Sequence, residues 1–167
     1  MNEFTINVGG DIFADISMDN ETITHIAHGV NTRGVMGGFA ALIDKRFPED
    51  AAEYRAACER GDIVAGGAFF TAARGVDGDP NLWIAHVVSQ REPGPDARVE
   101  WLISGLTSMY AQIIGELTYG ESTAGEVRLP LIGGGIGGIV PIAAATVIRA
   151  CAETAARNYN IRTVLYL

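Results

Sequence analysis

Residues 131–139 read LIGGGIGGI, and five of these nine positions are glycine. Without Cβ atoms, backbone can come very close to a ligand. Successive N–H groups in such a loop, at the start of a helix, can form a nest for an anion. Gly133, Gly134, Gly135, Ile136, Gly137, Gly138 and Ile139 are therefore candidate ligand contacts. No Gly-Lys-Ser/Thr follows, so the loop is not a P-loop, and it lies too late in the chain for a dinucleotide fingerprint after a first strand. The same glycines would also suit a tight turn between closely packed elements, and the residues alone leave both readings open. Residues 31–38, NTRGVMGG, form a second glycine-rich segment with another set of backbone donors. Two facing nests suit a diphosphate better than a single phosphate. Asp11, in the GDI run at 10–12, can accept hydrogen bonds from an exocyclic amine such as that of adenine, or it can cap a turn.

The elements around these loops follow from periodicity. Residues 4–8 alternate as a strand, and 22–30, TITHIAHGV, are rich in strand formers. A helix follows from Phe39, with Leu42, Ile43 and Phe47 at helical spacing, until Pro48 stops it. Residues 49–60 read as a further helix and 63–71 as a strand. The run 73–81 is a turn with Arg74, Asp77 and Asp79 in solvent. The unbroken apolar run 82–88 is a strand buried on both faces. Asp96 can cap a long helix over 97–117, striped by Leu102, Leu106, Met109, Ile113 and Leu117. Residues 127–132 form a strand, Pro141 opens a helix to about 158, and 162–167 form a last strand. Alternating strands and helices predict a three-layer α/β/α sandwich with a mixed, mostly parallel central sheet. The two glycine loops would then meet at the carboxyl rim of that sheet, where open α/β sheets bind ligands.

Composition narrows the partners. A net charge of −8 argues against non-specific nucleic-acid binding, which relies on Lys and Arg at phosphates. It does not exclude a small anion held by backbone amides. Cys58 and Cys151 have neither metal spacing nor a disulfide framework and read as small apolar residues in a reducing compartment. His25, His28 and His86 are too dispersed for a metal site. His25 and His86, Trp83 and Trp101 read as core residues, and Tyr166 as sheet packing. No signal peptide opens the chain and no apolar run approaches a membrane span. The expectation is one domain over 1–167, cytoplasmic, without metal, cofactor or membrane partner.

Three segments together resemble a family. GGDIF at 9–13, HGVNTRGVMGGFAALIDKRFP at 28–48 and RLPLIGGGIGGIVP at 128–141 resemble, in order, the ligand segments of macro domains. The resemblance runs over about residues 4–167. Its NTRGVMGG form is nearer to the branch that holds terminal ADP-ribose glycohydrolases, DNA-ADP-ribose antitoxins and a yeast-type ADP-ribose-1″-phosphate phosphatase. It implies an adenine contact at Asp11 with the Ile12 backbone beside it, and Asn31 near the distal ribose. It implies that Gly34, Val35, Met36, Gly37 and Gly38 wrap the diphosphate and distal ribose together with residues 133–139.

Departures from the family pattern bear on activity. In the glycohydrolase branch a lysine at the end of the fourth strand attacks the ribose. Ser89 and Gln90 occupy that segment, and Gln90 aligns with the lysine, but glutamine forms no Schiff base. An acid/base aspartate of some members falls on Gly137. His28 falls where the phosphatase carries a histidine and is a candidate general base, or else a structural histidine at a strand end. The resemblance leaves two readings open. In one, the chain binds ADP-ribose or a derivative and hydrolyses an ADP-ribosyl or ADP-ribose-1″-phosphate bond. In the other, it is a non-catalytic module for ADP-ribosylated protein or nucleic acid, or for NAD-derived signal nucleotides. An unrelated α/β fold that takes another nucleotide is the third reading of the glycine loops.

Overall fold

The computed structural model describes residues 3–17, 19–73 and 81–167. The turn expected at 73–81, with Arg74, Asp77 and Asp79, lies almost wholly outside the described residues.

The elements run β1 (Phe4–Asn7), β2 (Thr22–Val30), α1 (Phe39–Arg46), α2 (Pro48–Arg60), β3 (Ala68–Ala72), β4 (Leu82–Val88), α3 (Val99–Tyr119), β5 (Ala124–Pro130), α4 (Pro141–Ala156) and β6 (Ile161–Tyr166). The strands form one mixed sheet in the order β1-β6-β5-β2-β4-β3. All neighbouring pairs are parallel except β3 with β4. Helices α1 and α2 cover one face, and α3 and α4 the other. This is the α/β/α sandwich that the alternation of elements predicts.

Side-chain parity sets the two cores. Ala27 of β2, Ala85 and Val87 of β4, and Val127 and Leu129 of β5 pack with Leu102, Leu106, Met109 and Ile113 of α3 and Ile148 of α4. On the opposite face Ile26 and Ile84 pack with Ile43 and Phe47, and Val30 and Val88 with Tyr54 and Ala57. Both strands are therefore buried on both sides, as the nearly continuous apolar sequence of β4 requires, and β2 is buried although Thr24, His25 and His28 interrupt its apolar run.

Several expectations shift. Pro48 does stop α1, but it also sits at the first position of α2, where its missing N–H is not needed. Leu42 is exposed, and the stripe of α1 is carried by Ala40 and Ile43. Residues 63–67 are not strand; Gly66 takes φ +87 and the segment turns before β3 begins. Asp96 does not cap α3, whose cap position is Arg98. Its carboxylate instead accepts the amides of Arg91 and Glu92, both at 2.9 Å, which closes the loop after β4. Trp101 is only half-buried, and the guanidinium carbons of Arg98 and Arg91 stand 4.6 and 4.9 Å from its ring centroid.

Candidate functional site

Strands β5, β2 and β4 are adjacent and parallel, so the loops that follow them leave the sheet at one rim. The loop after β2 turns to α1 on one face. The loops after β4 and β5 turn to α3 and α4 on the other. Where connections part in this way between neighbouring strands, a crevice opens at the carboxyl ends. A cleft of about 400 Å³ occupies that place, lined by parts of all three loops. Asn31, Val35, Gly37, Gly38, Ser89, Gln90, Gly133, Gly135, Ile136 and Gly137 line it. The two glycine loops therefore share one cleft.

The loop after β5 divides its amides. Gly134 N–H donates to Leu131 O, Gly138 N–H to Gly135 O and Ile139 N–H to Gly133 O, at 2.8–3.1 Å. These bonds hold the loop closed. The amides of Gly135, Ile136 and Gly137 take no backbone acceptor among the described residues, and these three residues line the cleft. Gly134, Gly138 and Ile139 do not line it. Ile139 is buried in the α3–α4 core, and Cβ atoms on Gly134 and Gly138 would run into Leu131 and Pro95. Their place is in shaping the loop.

The loop after β2 is built around Asn31, which is buried. Its Oδ1 accepts Arg33 N–H at 2.9 Å, and its Nδ2 donates to Val35 O at 2.8 Å. Beneath it the Tyr54 hydroxyl donates to Asn31 O at 2.5 Å. Thr32 N–H and Oγ1 both donate to Arg91 O, at 3.1 and 3.0 Å, which joins this loop to the loop after β4. Gly34 turns the chain at φ +77 against Arg55 and Cys58, and Met36 packs into the core. Neither lines the cleft. Gly38 lies at φ +55, and a Cβ there would stand 3.0 Å from Ile136 Cδ1, so the two loops nearly touch at this point.

Ser89 is buried at the cleft floor. Gln90 donates from Nε2 to Glu92 O at 2.6 Å and Gly94 O at 3.0 Å. Its amide is thus engaged in holding its own loop. Asp11 and Ile12 do not line the cleft. Asp11 is exposed, with Oδ1 accepting Phe13 N–H at 2.9 Å. Ile12 is buried in the cluster that also holds Phe39, and Phe39 does line the cleft.

His28 is placed elsewhere. It points from β2 into the α1–α2 layer, is 0% exposed, and lies under the Phe39 ring at a centroid distance of 6.4 Å. Its Nε2 is 2.7 Å from His86 Nδ1, and His86 Nε2 is 3.0 Å from Thr71 Oγ1. Assigned from this network, His28 Nε2–H donates to His86 and His86 Nε2–H to Thr71. The reverse order would bury an unpaired N–H on His28 Nδ1, which has no partner. Burial, and then the neighbouring His86, hold the His28 pKa well below the ordinary value, and burial pushes His86 down to about 3. A ring so placed cannot reach a ligand in the cleft, and the general-base role expected of it finds no support here.

None of the residues lining the cleft is ionisable. In a chain of net charge −8, no carboxylate among the described residues lines this space. Sequence reasoning missed Gly29, Val30, Phe39, Ala40, Pro93, Gly94, Pro130, Leu131 and Ile132, which also line it. Gly29 carried a readable signal, a glycine inside a strand pattern, which marks close approach. A Cβ there would lie 2.8 Å from Ile132 Cγ2.

A mixed α/β sheet with its cleft at this rim defines the class. Within it, the macro domain family model matches residues 27–148, and the chain belongs to that family. It is 33% identical over 111 residues to a DNA ADP-ribosyl glycohydrolase of Thermus aquaticus; the match takes in 66% of this chain and 29% of that protein's length. The macrodomain of Thermus aquaticus DarG superposes with a TM-score of 0.77 at 25% identity, covering 98% of this chain and 97% of that one. DarTG of Thermosipho africanus, solved in complex with ADP-ribose, gives 0.69 at 18% identity over 91% of this chain and 43% of that one. No described helix is long and apolar enough to cross a membrane.

Proposed function

We propose that this chain recognises ADP-ribose, free or attached to a target, and that it does so without a nucleophile or general base of its own. The observation that carries this reading is the cleft shared by two glycine loops, with main-chain amides at Gly135, Ile136 and Gly137 and no ionisable side chain in its lining. A diphosphate is the anion best matched to donors from two sides. Asn31 and Ser89 are the polar side chains nearest the distal ribose in this reading, and the adenine would extend beyond the cleft, past Phe39, to Asp11 Oδ2 as the acceptor for its amine. The family, and the ADP-ribose-bound relative, support the ligand.

The lining argues for binding rather than turnover. A general base must come within hydrogen-bond reach of the proton it takes. The polar side chains here are the amides of Asn31 and Gln90 and the hydroxyl of Ser89, and none is a base near neutral pH. The test is calorimetry with ADP-ribose beside turnover assays on ADP-ribose-1″-phosphate, ADP-ribosylated DNA and ADP-ribosylated protein. Saturable binding with no product is expected. Product from any of the three would overturn the non-catalytic half of the reading, and absence of binding would overturn the whole.

A further inference from the structure

Arg128 of β5 is buried, with only 7% of its side chain exposed, and among the described residues its hydrogen bonds go to neither glycine loop. Its guanidinium reaches across more than a hundred residues of sequence to the segment after β1. Nη1 donates to Ile12 O at 3.1 Å and to Ala14 O, and Nη2 donates to Asp15 O at 2.9 Å. Nε donates to Glu126 Oε1 at 2.6 Å, which balances the charge. Three carbonyls of one short loop thus converge on a single planar fork.

That loop needs holding. Asp15 sits at φ +53, a backbone region that non-glycine residues seldom adopt. Ala14 N–H returns to Asp11 O at 3.1 Å, so the residues the fork grips close a turn that begins at Asp11. A buried ion pair contributes little to stability compared with an apolar pair of the same volume. Its selective effect is on geometry, because a guanidinium fixes acceptors in one plane and an ammonium does not. The strand that carries Arg128 ends at Pro130, which lines the cleft with the next residue, Leu131. One stretch of β5 therefore meets both the cleft floor and the Asp11 loop.

We infer that Arg128 is a positioning residue for the base-recognising end of the site: by gripping the carbonyls of Ile12, Ala14 and Asp15 it sets where the Asp11 carboxylate stands, and so sets the preference for a 6-amino over a 6-oxo purine. This inference rests on the ADP-ribose reading. A 6-amino group donates to a carboxylate, whereas a 6-oxo group only accepts, and a carboxylate held at fixed distance separates the two. Held loosely, it adapts to either.

The experiment compares ADP-ribose with its hypoxanthine counterpart, inosine-diphosphate-ribose, by calorimetry on the intact chain, with far-UV circular dichroism and Tm recorded for each variant. Arg128→Lys keeps the charge but loses the fork. ADP-ribose affinity is expected to fall at least tenfold in this variant, inosine-diphosphate-ribose affinity to fall less, and the ratio between them to shrink toward one. A merely structural role would lower both affinities alike. Glu126→Gln, which keeps an acceptor for Nε but removes its charge, is expected to shrink the ratio part-way and serves if Arg128→Lys fails to fold. An unchanged ratio in a folded Arg128→Lys, or in Glu126→Gln where the lysine variant is unfolded, overturns the inference. Wild-type protein that binds neither ligand overturns the ADP-ribose reading itself, and the two failures are thereby told apart.

Discussion

His28 Nε2 and His86 Nδ1 lie 2.7 Å apart between β2 and β4, with both rings 0% exposed. Burial holds both neutral, and it also lowers His25, to about 4. A pKa depressed in the folded state contributes stability that is complete above the unfolded value, near 6.5, and is lost as pH falls toward the folded one. Each proton refused by the folded chain weighs about 1.4 kcal/mol per pH unit, so three histidines give a slope of roughly 4 kcal/mol per unit near pH 5. Asp50, raised by burial, is shifted the other way and offsets part of this. Urea unfolding at pH 7, 6 and 5 should show a falling midpoint, and His28→Gln should flatten the fall by about one proton. ADP-ribose affinity should stay level between pH 8 and 6, because no residue lining the cleft titrates there. Constant stability across pH 7 to 5 would mean that the pair is not buried as neutral imidazoles.

The glycines of the cleft differ in what they tolerate. Gly38 combines φ +55, ψ −130 with a Cβ position 3.0 Å from Ile136. Gly38→Ala should therefore lower both stability, by about 1–3 kcal/mol, and ADP-ribose affinity. Gly135 has open space around its Cβ position. Gly135→Glu should keep the wild-type Tm while abolishing binding, since its carboxylate would enter a cleft that has no other charge. Thermal melts and calorimetry on the same samples separate the two effects. Micromolar affinity retained in Gly135→Glu would place the diphosphate elsewhere.

Much of this was legible in the sequence because it is local. The runs 22–30 and 82–88 match β2 and β4 in full, the first through its strand-forming residues and the second through the apolar record that two-sided burial leaves. The glycine clusters marked both loops of the cleft. Which residues of the second loop line the cleft was not legible, because Gly134, Gly138 and Ile139 are turned away from it by hydrogen bonds within the loop. The place of His28 was hidden for a different reason. Its partner is 58 residues away, and strand parity near the rim carries it into the α1–α2 layer, not into the cleft. The Arg128 contacts span still longer separations, and nothing in the local pattern announces them.

Tyr54 links the α2 layer to the cleft. Its ring stacks on His86 at 5.3 Å with an interplanar angle of 8°, and its hydroxyl holds the Asn31 carbonyl. Tyr54→Phe keeps the stacking and leaves that buried carbonyl without its donor, a loss of about 1–3 kcal/mol. Tm should fall accordingly, and ADP-ribose affinity should fall with it as residues 31–35 loosen. Hydrogen exchange at the Arg33 and Val35 amides, which point to Asn31 Oδ1, should quicken. Unchanged exchange there would show that the loop stands without the tyrosine.

Gln90→Lys tests whether a missing amine is all that separates this cleft from catalysis. The glutamine Nε2 donates to Glu92 O and Gly94 O, and a lysine ammonium at the same place would meet the same two carbonyls. Hydrogen bonds to a charged form favour that form, so the amine should stay protonated at neutral pH. A protonated amine attracts a diphosphate but cannot attack a ribose carbon. The expected outcome is tighter, salt-dependent binding of ADP-ribose with no product from ADP-ribosylated DNA, read by calorimetry at two ionic strengths and by gel assay. Release of ADP-ribose by this variant would show instead that Asn31, Ser89 and the glycine loops already hold the ribose for attack and lacked only the nucleophile.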